Sequence, residues 1–142
     1  MDIAVLRKSL LHAIETAKRD SATRRARADE AARQYHDFLE QTAVPVFRAM
    51  AGALKGEGLP FDVMTPTGGV RLVPERARED GIELSLDPTV DPPQPIVSVV
   101  RSRGNRTVRH ERPVAGATRL EGLTDNDVAA MLLEELRPWL ER

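Results

Sequence analysis

The sequence predicts an α+β fold: a long N-terminal helix, kinked or restarted near Pro45, then an antiparallel sheet of about five strands, then a C-terminal helix. Three observations carry this. Residues 2–43 contain neither Gly nor Pro and are rich in Ala, Leu, Arg, Glu and Gln, all good helix formers. The middle breaks into short apolar or alternating runs separated by Gly and Pro. Near the end, Thr124 is followed three residues later by Asp127 and then by an apolar period of three and four.

The first helix carries a stripe at Ile3, Leu6, Leu10, Ala13 and Ala17, spaced by threes and fours. The stripe fades from Lys18 to Arg33, where only alanines are apolar. It returns at Tyr35, Phe38, Leu39, Thr42, Val46, Met50 and Leu54. Pro45 lacks an N–H and crowds the preceding turn, so an irregularity is expected there. Gly56, after Lys55, is the expected left-handed cap. A continuous helix is favoured over a hairpin turning near Asp20-Ser21, because no Gly or Pro marks such a turn.

Phe61–Met64 and Val70–Val73 flank a Pro- and Gly-containing turn and read as two strands. Ile82, Leu84 and Leu86 alternate with polar residues, as in a strand with one wet face. Residues 87–95 hold four prolines and read as a loop. Residues 96–103 and 106–114 flank Gly104-Asn105, which suits a two-residue type II′ turn. That turn fixes the register: Arg103 faces Arg106, Arg101 faces Val108, Val99 faces His110, and Val97 faces Arg112. In the last helix Thr124 is the N-cap, with Val128, Met131, Leu132, Glu135 and Leu136 along one side. Pro138 is expected to end or kink it near Leu136, with Trp139 and Leu140 folding back onto the sheet or a partner. The organisation is then a helical segment, 1–56, and a unit of sheet and helix, 57–142, compacted with the end of the first helix.

Composition narrows the chemistry. There is no cysteine, which removes disulfides, thiolate metal sites and a cysteine nucleophile. No apolar run approaches the 18 residues of a membrane span, and the N-terminus lacks an export signal, so a cytoplasmic location is expected. The histidines, His12, His36 and His110, form no zinc-binding spacing, and no serine sits in a Gly-x-Ser-x-Gly elbow. Gly68-Gly69 opens a strand rather than a helix, so it is not a phosphate loop. Asp87 and Asp91 lie in an acidic loop without the closing Glu of a calcium site. No cofactor, metal or catalytic constellation is nominated.

Charge is segregated within a net charge of −1. Residues 96–119 carry six arginines against one glutamate, while 120–142 carry two basic residues against six acidic ones. The hairpin residues Arg101, Arg103, Arg106, Arg109, His110 and Arg112 are the candidate anion- or partner-binding group. Like charges across a hairpin repel unless something neutralises them. Candidates are an acidic segment of the same chain, a protein partner or nucleic-acid phosphates. The favoured reading is a non-catalytic protein–protein interaction or adaptor module that self-associates, as a dimer, through Ile3, Leu6, Leu10, Ala13 and Ala17. The alternative is a nucleic-acid-binding accessory protein using hairpin 101–112. A lesser alternative is a small-ligand or enzymatic domain whose site the sequence does not identify.

Overall fold

A computed structural model of the chain describes residues 1–116 and 119–141. Helix α1 runs from Ile3 to Phe38 and passes through a π-helical turn, Leu39–Ala43, into α2, Val44–Gly56. The Asp2 carboxylate caps α1 by accepting from the Ala4 N–H at 2.9 Å. The helix is therefore continuous across Asp20-Ser21. The irregularity at Pro45 takes the form of the π-turn, which ends two residues before it and widens the preceding turn that the proline ring would crowd.

The π-turn also corrects the sequence-predicted core. It spends an extra residue on one turn, slipping the helix phase by about one residue. Ala43 and Phe47 become fully buried, whereas Thr42, Val46 and Met50 are only half-buried. The cap is corrected too. Gly56 lies inside α2, and the left-handed residue is Gly58, with φ 78°. The Leu59 N–H donates to the Leu54 carbonyl at 2.8 Å and the Gly58 N–H to that of Lys55 at 3.1 Å, the two bonds of a Schellman motif.

Five antiparallel strands follow in sequence order: β1 (Phe61–Met64), β2 (Val70–Pro74), β3 (Gly81–Asp87), β4 (Gln94–Arg103) and β5 (Arg106–Pro113). The β4–β5 register is the one the two-residue turn dictates, from Arg103 opposite Arg106 to Val97 opposite Arg112. Gly104 has φ 61°, a conformation open to glycine at little cost. At Gly81, φ is 150° and a Cβ would lie 2.6 Å from the Leu72 carbonyl oxygen, so only glycine lets β3 start against β2. In the turn before it, the buried Asp80 carboxylate accepts from the Ser102 hydroxyl at 2.8 Å.

Helix α3 (Asp125–Leu140) starts with the expected capping box, in which Thr124 and Asp127 satisfy each other's backbone N–H. It does not stop at Leu136: Pro138 lies inside it, and Trp139 reaches the core from the last helical turn. The Trp139 ring meets Phe61 edge-on, with centroids 6.1 Å apart. Leu140 is exposed. One core joins the helices to strands β1 to β4: Tyr35, Phe38, Leu39, Phe47 and Leu54 from the first helical run, Phe61, Leu72, Ile82, Leu84 and Val97 from the sheet, and Val128, Leu132, Leu136 and Trp139 from α3.

Candidate functional site

Two surfaces stand out once the core is assigned. The first is the N-terminal half of α1. Ala31 is the first buried residue of the helix, and the nearest body residues lie along one side of it from Thr23 onward, around Pro92, Pro93 and Leu120. Residues 3–22 thus form a free rod of about 30 Å. Its apolar residues lie in solvent: Ile3 is 73% exposed, Leu6 50% and Leu10 57%, and Ala13 and Ala17 are exposed as well. Ile14 and Leu11 are also exposed, and the sequence reading missed both. Ile14 follows Ala13 and widens the stripe by one residue, which a strict three-four count passes over.

This stripe keeps the orientation of the core-facing side of the same helix. At about 100° per residue, Ile3, Leu6, Leu10, Ala13 and Ala17 fall in the same sector, roughly 100° wide, as Ala31, Tyr35, Phe38 and Leu39. The later residues lie against the sheet. Tyr35 anchors the changeover: its hydroxyl donates to the Gly68 carbonyl at 2.6 Å. Burial, with the nearby Glu83 charge adding, raises its pKa and keeps the phenol neutral.

The second surface is the cationic hairpin. Its core-side row runs Arg112, His110, Val108, Arg106 and, across the turn, Arg103 and Arg101. Helix α3 lies against the base of this row and supplies acid. Arg112 bonds Glu134 and, at 3.2 Å, Glu135; His110 bonds Glu135 at 2.8 Å. The hydrogen bond to Glu134 leads the causes that raise the Arg112 pKa, and its counterpart lowers that of Glu134. Toward the tip, Arg101 and Arg103 border a hollow with Pro138, Trp139 and Glu141. That is the C-terminal end of α3, whose unpaired carbonyls favour cations. Arg109 projects from the opposite, open face beside Glu111 and the Arg71–Glu83 ion pair. Among the described residues, Arg101, Arg103, Arg106 and Arg109 make no ion pair.

The hairpin candidates are therefore split. His110 and Arg112 bind α3, Arg101 and Arg103 approach its C-terminus, and Arg106 and Arg109 stand in solvent. Glu135, placed by sequence on the apolar side of α3, is the residue that reaches them. Elsewhere the Asp87 carboxylate accepts from the backbone and hydroxyl of Thr89, which lower its pKa. Among the described residues no group of three or more His, Asp or Glu could hold a metal, and no helix is long and apolar enough to cross a membrane. Comparison with protein-family models, curated proteins and solved structures finds no match.

Proposed function

We propose that the protein is a non-catalytic interaction module that self-associates through the free half of α1. The observation that supports this is the exposed apolar stripe on residues 3–17 of a helix that the body covers only later. Ile3, Leu6, Leu10 and Ile14 would each contribute about 1.5–3 kcal/mol on full burial. Eight such side chains in a pair of helices are of the size needed to offset an association cost of about 4–15 kcal/mol. A second copy is the occupant the pattern fits. The spacing Ile3, Leu6, Leu10, Ala13, Ala17 alternates three and four, as in a helix–helix seam. Residues 1–20 carry four basic and three acidic side chains, so like-charge repulsion between copies is small.

Light scattering at tens of micromolar tests this. The expected mass is twice the 15.7 kDa of one chain, falling to 15.7 kDa for Leu6→Glu with Leu10→Glu. A wild-type monomer would overturn the proposal.

A second reading rests on the exposed guanidinium groups of Arg103 and Arg106, which repel each other across the tip. Nucleic-acid phosphates would neutralise them, with affinity falling steeply as salt rises. Filter binding to single-stranded and duplex DNA and RNA at low salt tests it. Equal binding by wild type and Arg103→Glu with Arg106→Glu would end that reading.

A further inference from the structure

We infer that the two copies pair antiparallel, each free helix starting at the other's body and running toward the other's N-terminus; this rests on the self-association proposed above. The position of the body carries the inference. The exposed stripe and the sheet occupy the same sector of one continuous helix. A partner helix seated on the stripe lies about 8–10 Å from α1. In a parallel pair it would keep that position as it ran on, and from Thr23 onward it would meet this chain's own body, at Leu120 and then at the strands under Ala31 and Tyr35. It cannot stop short of that, because α1 is helical without interruption to Phe38. An antiparallel partner instead presents its free N-terminus to the body and carries its own body away past Met1.

Two features of the stripe agree. Along its three-four row the large side chains, Ile3, Leu6 and Leu10, are at one end and the small ones, Ala13 and Ala17, at the other, with Ile14 on the edge of the row. Antiparallel pairing sets Leu10 against Ala13 of the second copy and Leu6 against Ala17, so large meets small and the helices keep an even separation. Parallel pairing stacks leucine on leucine and alanine on alanine. Charge follows the same rule. Antiparallel pairing brings Asp2 of one copy near Lys18 and Arg19 of the other, whereas parallel pairing sets Lys18 and Arg19 beside their own copies. A parallel seam would retain one favourable pair, Asp2 with Arg7.

The absence of cysteine makes the test direct. Spin labels are placed at Ala4→Cys or His12→Cys, both exposed and off the stripe, and the intermolecular distance is read by pulsed electron resonance. With Leu10 opposite Ala13, the axial offset between the two labels is about 22 Å for Ala4→Cys and near zero for His12→Cys. The Ala4→Cys distance should thus be clearly the longer. Equal distances in a sample of dimeric mass would overturn the antiparallel arrangement and leave self-association standing. A monomeric mass at about 100 μM would overturn both and leave the stripe to a different protein.

Discussion

The first helical run has two halves that carry one kind of pattern to opposite ends. From Ala31 to Leu54 its core-facing residues, Tyr35, Phe38, Leu39, Ala43, Phe47 and Leu54, are buried against the sheet and α3, with Phe47 fully enclosed. From Ile3 to Ala17 residues of the same kind, in the same sector of the helix, face water. Amphipathic spacing therefore states that a helix face needs cover without stating what covers it. The free half has no buried residue among those described, and helices held by propensity alone are marginal in water. Packing on a second copy would give that half what the sheet gives the other.

The largest contrast should appear between Phe47→Ala and Leu10→Ala. Truncating Phe47 empties a fully buried site and should cost about 3–5 kcal/mol in urea unfolding. Leu10→Ala, measured at a concentration where the chain is monomeric, should change stability by no more than about 0.5 kcal/mol. Comparable losses would mean that the free half is held within the monomer, and the contrast between the halves would be gone. At higher concentration Leu10→Ala should weaken association, which ties its role to the second copy.

Most of this layout was legible in the residues. The β4–β5 register followed from a two-residue turn, because a one-residue slip would send every side chain to the wrong face. The α3 cap followed from Thr124 and Asp127. Around the π-turn the periodicity predicts a core one residue out of phase, Val46 instead of Phe47, while Leu54 is buried as predicted; a π-turn leaves no periodic signal of its own, and Pro45 marks only that something must give. The left-handed cap falls at Gly58, not at the Gly56 that follows Lys55: the helix continues through Gly56, and Leu59 closes the motif onto Leu54. Among site residues, the split of the hairpin arginines could not be read in advance. It depends on where α3 crosses the sheet, which is decided by the long-range packing of Leu132, Leu136 and Trp139.

A smaller effect would sharpen the boundary between the halves. Tyr35→Phe removes the hydroxyl that donates to Gly68 and leaves that carbonyl without this partner. The expected loss is about 1 kcal/mol, with the ring still packed. Hydrogen exchange should then show faster opening in the turns next to Tyr35 and little change at Phe47. Equal acceleration at both would mean that the helix detaches as a whole, not from its free end inward.

The smallest expected effect is in acid and separates the body from the free helix by charge. The two carboxylates with clearly depressed pKa values, Glu134 and Asp87, both lie in the body. Glu134 is held below the usual 4.5 by Arg112, and Asp87 below 3.8 by Thr89. A group whose folded pKa lies below its unfolded one adds stability that is present above the unfolded value and lost as pH falls through the folded one. Urea midpoints should therefore decline below about pH 4.5. Glu134→Gln with Asp87→Asn should lower the midpoint slightly at neutral pH and flatten the decline, because the acid form of wild type already lacks these charges. Both groups are exposed, so the change should be small and should shrink further in salt. If the double variant instead kept the full acid slope, the acid sensitivity would have to come from other carboxylates, and the link from Arg112 to α3 would be holding the hairpin by geometry rather than by charge.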